Sequence, residues 1–244
     1  MGTRMPTCTG DSEDLLAEPE GQTGADEGAR VPAVAMSNDE RVIRGLNVLV
    51  ALIGLVLTLP IWLLIALAIK LTSRGPVFYA QSRVGLDARQ RRPPRHDSRR
   101  RADMGGRPFV IYKFRTMTVD AERHGKAVWA TNDDQRVTRI GGWLRSCRLD
   151  ELPQLINVLR GEMSLVGPRP IPTWVYEQID EPSFHRRFSV MPGMTGMWQV
   201  HGRPQHYRLM AGHDLRYVDE WSLWLDLKIL LKTIPAVIRR QGAH

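Results

Sequence analysis

From Val48 to Ile69 the chain reads VLVALIGLVLTLPIWLLIALAI, about 22 residues without a charged side chain, the length one helix needs to span a bilayer. Hydropathy alone reads this as a single pass. Two features argue for a different path. Pro60 stands at the midpoint, where it deletes an amide hydrogen and presses its ring on the Val56 carbonyl. Arg41 and Arg44 precede the segment and Lys70 and Arg74 follow it, so the Lys/Arg bias orients no spanning helix. A helix that enters, breaks at Pro60 and returns to the same face satisfies both observations. The Thr58 hydroxyl is available for a carbonyl freed by the break.

Beyond this segment, GPVFYAQSRVG and RPFVIYKFRT are rich in β-branched and aromatic residues and predict two strands of a hairpin. Between Arg139 and Arg160 the tendency is helical, with Leu149, Leu152, Leu155, Ile156 and Leu159 at spacings of three and four. Pro153 marks an early helical turn. Gly and Pro cluster from Gly161 to Pro172, and MPGMTGMWQVHGRP reads as loop. The C-terminal WSLWLDLKILLKTIPAVIRR is amphipathic, either a core helix or one lying on a membrane interface. No internal repeat is present.

The chain of 244 residues suits one domain with appendages, and its net charge of +8 directs attention to an anionic partner: nucleic acid, an acidic membrane or a phosphorylated substrate. The distribution of charge narrows this. Residues 1–40 hold nine acids and two Arg with no apolar periodicity, which predicts a disordered acidic tail and not a cleavable signal peptide. Residues 87–107 are Arg-dense and polar, as at an exposed loop tip. The remaining body is itself basic. With Cys8 and Cys147 alone, a disulfide scaffold is excluded and a reducing compartment is expected.

Asp150 and Glu151 are adjacent carboxylates at the start of the periodic stretch. The plain reading is capping, since Asp is a good N-cap and acids in a first turn complement the helix dipole. A chemical reading notes Arg145, Arg148, Arg160 and Arg169 close by in sequence. Carboxylates among fixed cations stay ionised and can hold Mg2+ or attack phosphorus. Such an attack brings anions together, so cations and a metal must accompany it. The seven His are scattered without metal-ligand spacing.

KFRTM (Lys113 to Met117), RLDELPQLINVLRGEMSLVGPRP (Arg148 to Pro170) and PGMTGMWQVHGR (Pro192 to Arg203) together resemble the bacterial sugar transferase family, the monotopic polyprenyl-phosphate phosphoglycosyl transferases. The match runs from about residue 40 to residue 244 except for the insertion at 87–107. The resemblance implies transfer of a sugar-1-phosphate from a UDP-sugar to a polyprenyl phosphate such as undecaprenyl phosphate, with release of UMP, as the first membrane step of exopolysaccharide, O-antigen or glycoprotein glycan synthesis. It implies Asp150 as nucleophile, forming a phosphosugar-aspartyl enzyme, Glu151 with Asp150 at an essential Mg2+, and Arg145 and Arg169 at phosphate or substrate. It also implies a re-entrant membrane hairpin. Many members break at Ser-Pro where this chain has Leu59-Pro60, leaving Thr58 as the substitute hydroxyl.

Other matched positions carry two readings each. Lys113 and Arg115 either ligand a diphosphate or lipid phosphate or are ordinary strand-end charges. Trp198 either stacks on a nucleobase or sugar or is a buried aromatic. Asp214 and Tyr217 fall where the family has an acidic and aromatic pair. The expected fold is α+β and mostly helical: a disordered tail over 1–40, a re-entrant helix-break-helix over 41–70, and a cytosolic catalytic domain over 71–244 with a small β-hairpin. The expected place is the cytoplasmic face of the bacterial inner membrane, in contact with its lipids and with no nucleic-acid partner. The rival is a membrane-tethered protein that binds nucleic acid or anionic lipid through the Arg-rich loop. No self-complementary seam points to an oligomer.

Overall fold

One helix, α1 (Asn38–Thr72), carries the whole apolar segment, with Pro60 inside it. The structure, a computed structural model, describes residues 38–87, 106–119, 121, 134–179, 182–202 and 207–239. The expected acidic tail, apart from its last three residues, and the core of the Arg-rich insertion lie outside the described residues. The two helices expected around Pro60 are instead one continuous helix. Nor does Thr58 serve the carbonyl that Pro60 leaves: its hydroxyl donates to Gly54 O at 2.6 Å, because a Thr side chain reaches back only to its own preceding turn.

α1 is apolar all round, yet it has a protein partner along one stripe. Asn47, Ala51, Trp62, Ile65 and Ile69 are buried, whereas Leu57, Leu63 and Leu71 are 71%, 67% and 77% exposed. Trp62, Ile65 and Ile69 pack with Phe114 and Leu144, and the Trp62 and Phe114 rings meet edge-on at 5.5 Å. Near the other end Asn47 donates to Ser164 Oγ (2.8 Å) and accepts from Leu165 N (3.2 Å). Arg44 donates to the carbonyls of Val158 and Leu159, supplying donors to a helix C-terminus that lacks them. Arg44→Ala is therefore expected to cost about 2 kcal/mol, the value of hydrogen bonds from a charged donor. The unfolding midpoint of detergent-solubilised protein should fall in this variant and stay unchanged in Arg41→Ala, whose side chain is exposed.

The predicted hairpin forms from β1 (Phe78–Val84) and β2 (Pro108–Phe114), antiparallel with Tyr79 opposite Lys113 and Arg83 opposite Phe109. Next come α2 (Arg139–Ser146), a 3-10 turn (Leu149–Gln154) and α3 (Leu155–Arg160). The single helical tendency is thus split in three. Arg148 causes the split: its φ of 57° is left-handed, a conformation that costs an L-residue energy and ends α2 before the next turn begins.

β3 (Ser164–Val166) pairs in parallel with β4 (Gly193–Thr195), Ser164 opposite Gly193 and Val166 opposite Thr195. The segment expected to be loop is therefore β4 and a short helix, α6 (Met197–Val200). Gly193 permits the pairing, since a Cβ there would collide with backbone of Gly167 and Val166. Between the strands lie α4 (Thr173–Tyr176), α5 (Pro182–His185) and a second 3-10 turn (Arg186–Ser189). The chain ends in α7 (Tyr207–Glu220) and α8 (Leu223–Ile238).

α8 does not behave as a core helix. Ile229 and Ala236 are buried, and Thr233 bonds Thr195 at 2.8 Å. The opposite face leaves Trp224, Leu227, Leu231, Ile234 and Ile238 exposed. Its apolar residues exceed what one contact stripe can bury. Among the described residues the fold is mostly helical, with two small two-stranded sheets and one long apolar helix.

Candidate active site

Asp150 and Glu151 lie in the 3-10 turn, one residue beyond the left-handed Arg148. Neither caps a helix. The cap position of the turn is Arg148, whose side chain makes no capping hydrogen bond; both acids do lie in the first turn, as the plain reading also expects, and there they are buried among cations. The turn is held from below: Leu149, Leu152 and Ile156 pack into the cluster built on Trp62, Ile65 and Ile69, and a Cβ on Gly54 would touch Leu155 at 3.4 Å. The apolar side chains that flank the two carboxylates therefore share one cluster with α1.

Their environments differ. Glu151 accepts from Lys113 Nζ at 2.8 Å and from Arg169 Nη2 at 2.6 Å, with Arg169 Nη1 at 3.5 Å from its second oxygen. Those two cations hold its carboxyl well below the ordinary range, despite burial acting the other way. Among the described residues, by contrast, no side chain donates a hydrogen bond to the Asp150 carboxylate. Burial pushes its pKa up to about 6, opposed by Lys113 and helped by Glu151. One acid is thus locked in a salt bridge and its neighbour is left basic and unpaired, the condition of a nucleophile poised near neutral pH.

The motif cations divide sharply. Lys113, at the end of β2, and Arg169, in the turn after β3, reach Glu151. Arg145 donates through Nε to Thr116 Oγ1 at 3.0 Å and sits close enough to oppose the rise in the Asp150 pKa. Arg115 does not join them. Its guanidinium donates to Ser73 O, Ser73 Oγ and Arg74 O, tying β2 to the end of α1. The phosphate reading of Arg115 thus gives way to a structural tie.

Trp198 packs on the cluster of Ile171 and Phe188, as its buried-aromatic reading expects, and the Arg169 guanidinium lies 6.0 Å from its ring centroid. Asp214 is wholly buried against Arg187. Tyr217 stands apart from the carboxylates: its hydroxyl donates to Asp226 at 2.8 Å and joins α7 to α8.

Two further cations went unpredicted, Arg83 half-buried and Arg187 buried. Arg83 donates to Pro170 O at 3.0 Å and to Gln81 Oε1 at 2.6 Å, and burial together with Arg169 lowers its pKa to about 9. Arg187 donates to Arg169 O at 2.7 Å and to Asp214. A signal for Arg83 was present. Tyr79, Gln81 and Arg83 alternate along one face of the strand, between the more exposed Phe78, Ala80 and Ser82, and that face also carries Lys113 through the register.

The donor set suits Mg2+ in a limited way. Among the described residues no cluster of three metal-ligating side chains occurs, so a protein cage is absent there. Mg2+ is commonly held by one or two carboxylates plus substrate phosphates, and Asp150 with an unpaired carboxylate meets that need.

The family described as Bacterial sugar transferase matches residues 38–240. Over 225 residues the chain is 40% identical to a UDP-glucose:undecaprenyl-phosphate glucose-1-phosphate transferase of Caulobacter vibrioides, covering 89% of this chain and 76% of that protein. It is 41% identical over 207 residues to a UDP-N-acetylgalactosamine-undecaprenyl-phosphate N-acetylgalactosaminephosphotransferase of Aeromonas hydrophila, covering 82% of this chain but only 44% of that longer protein. It is 38% identical over 217 residues to the exopolysaccharide production protein ExoY of Rhizobium meliloti, covering 82% of this chain and 87% of the relative. With the carboxylate turn, the cations and the apolar helix all inside the matched span, the chain belongs to the bacterial sugar transferase family.

Proposed function

We propose that the protein transfers a sugar-1-phosphate from a UDP-sugar to undecaprenyl phosphate at the cytoplasmic face of the bacterial inner membrane. The observation that carries this is the asymmetry of the carboxylate pair: an Asp150 carboxylate to which no described side chain donates, beside a Glu151 saturated by Lys113 and Arg169. Asp150 attacks the phosphorus attached to the sugar, the bond to UMP breaks, and a phosphosugar-aspartyl enzyme forms. The lipid phosphate oxygen then attacks that phosphorus and Asp150 leaves as a carboxylate. Arg145, Lys113 and Arg169 offset charge on the phosphoryl oxygens. Asp150 would hold Mg2+ together with the substrate diphosphate, and Glu151 would share it only by giving up Lys113 or Arg169; the ion would supply Lewis-acid neutralisation of the phosphoryl charge.

A lipid acceptor requires this turn to sit at the bilayer. α1 has a window of mean hydropathy 2.8 of which only 17% is buried against protein. At about 1.5 Å per residue it is on the order of 50 Å long. Support for entry and exit on one face comes from its contacts: Arg44 near the start bonds α3, and Ser73 just after the end bonds Arg115. A helix with both ends tied to one water-soluble body does not deliver them to opposite sides of a membrane. The exposed apolar face of α8 fits an interfacial helix, with Lys228 lying 5.2 Å from the Trp224 ring centroid.

The test is release of UMP from a panel of UDP-sugars with undecaprenyl phosphate and Mg2+. Repeated turnover to UMP that depends on both lipid and Mg2+ is expected, with no more than one equivalent of UMP per enzyme released without lipid, and the absence of UMP across the panel overturns the reading. The acid limb of kcat/KM is expected near pH 6, because Asp150 must be ionised to attack and burial has raised its pKa to about 6. Activity is therefore lost as pH falls through that value. A profile flat down to pH 4.5 counts against Asp150 as the attacking group.

A further inference from the structure

We infer that Arg83, Arg187 and Asp214 form a buried clamp that positions Arg169, by fixing the consecutive carbonyls of the turn from which it projects. Arg187 Nη2 donates to Arg169 O at 2.7 Å, and Arg83 Nη1 donates to Pro170 O at 3.0 Å. The two guanidiniums reach neighbouring peptide units from different elements, Arg83 from β1 and Arg187 from the 3-10 turn after α5. Backbone bonds complete the setting: Val84 N to Ile171 O at 2.9 Å and Gly193 N to Pro168 O at 2.9 Å.

A purely structural pair would be a poor use of such burial. The side chains of Arg187 and Asp214 are 1% and 0% exposed, and desolvating two ions costs more than their attraction returns unless further bonds are made. Here Arg187 Nε, Arg187 Nη1 and Asp214 Oδ1 find no hydrogen-bond partner among the described residues. The Arg187 guanidinium lies instead 4.7 Å from the Phe184 ring centroid and 5.7 Å from that of Phe188, which walls it in on the apolar side. What the pair does achieve is a fixed peptide carbonyl at Arg169, whose side chain must hold Glu151 while the adjacent Asp150 stays free. None of the three clamp residues is bonded to either carboxylate. They act through Arg169 and are positioning residues.

The inference rests on the proposed reaction only for its turnover arm. In that arm Asp214→Asn is expected to lower kcat for UMP release by about 10- to 100-fold, the scale of a small misplacement of a catalytic group. In an Arg169→Ala background the same change should cost less than about 3-fold, because residues acting through one partner are not additive. Equal fold-losses in the two backgrounds overturn the clamp. A second arm reads the turn without turnover: the rate at which phenylglyoxal labels Arg169, followed by mass spectrometry on membrane-bound protein. Cutting the clamp should speed labelling by about 5-fold or more as the turn opens locally, and an unchanged rate overturns the inference whatever the enzyme's substrate proves to be. If Asp214→Asn fails to accumulate in membranes, Arg83→Lys carries both arms, since a Lys at 83 keeps the charge but loses the planar fork that serves Pro170 O and Gln81 together.

Discussion

Asp150→Asn is expected to abolish UMP release, by about 1,000-fold or more, while the protein folds, reaches the membrane and unfolds at an equal or higher temperature. The activity loss follows from replacing an attacking carboxylate by an amide of the same shape that cannot form the aspartyl phosphate. The stability expectation follows from the site. Asp150 is 8% exposed, has a pKa raised to about 6 and accepts no hydrogen bond from described side chains. A carboxylate whose folded pKa exceeds its unfolded value of 3.8 opposes folding at neutral pH, so removing its charge relieves a cost. Near pH 4 the advantage of Asn should shrink, because Asp150 is then protonated in the folded protein. Wild-type UMP release by the variant removes Asp150 from the role of nucleophile.

Glu151→Gln, one residue along, is expected to behave in the opposite way towards stability. Glu151 is the shared anion of Lys113 and Arg169, at 2.8 and 2.6 Å. Taking away its charge leaves two largely buried cations facing each other, and breaking a buried pair in this way costs about 3–5 kcal/mol. A fall in the unfolding midpoint should therefore accompany an activity loss of about 100-fold, the scale on which positioned electrostatic groups act. The pH sign is also set. The Glu151 carboxyl is held well below its ordinary range by Arg169 and Lys113, so its stabilisation is complete at neutral pH and is lost as pH falls through the depressed folded pKa. The gap between wild type and Glu151→Gln should narrow in acid. A variant as stable as wild type would mean that Lys113 and Arg169 find other anions.

The two predictions separate adjacent acids that no local pattern distinguishes. In the sequence, Asp150 and Glu151 share the same neighbours and the same capping explanation. The partner that divides them is Lys113, 38 residues earlier in the chain, together with Arg169, 18 residues later. Arg115, only two residues from Lys113, faces the end of α1 instead. Alternation along a strand would put the two on one face, but β2 ends at Phe114, so Arg115 lies beyond the strand and is not bound by that rule.

What the sequence determined by itself is local in range. A run of apolar residues as long as a bilayer is thick, two strands rich in β-branched and aromatic residues, the carboxylate pair and three motifs in order were all readable from near neighbours, and they were enough to identify the family. The tertiary structure decided what depends on distant partners. It kept α1 as one helical span with Pro60 inside it, because a proline forfeits one hydrogen bond while buried residues on both sides of it, from Asn47 to Ile69, hold the helix to the body. It turned an expected loop into β4 by pairing Gly193 with Ser164, placed Arg83 and Arg187 behind Arg169, and left one face of α8 without a protein partner. Hydrophobic periodicity records only that a side chain prefers to leave water. Which surface receives it, and which carboxylate meets which cation, is fixed when segments far apart in the chain are packed together.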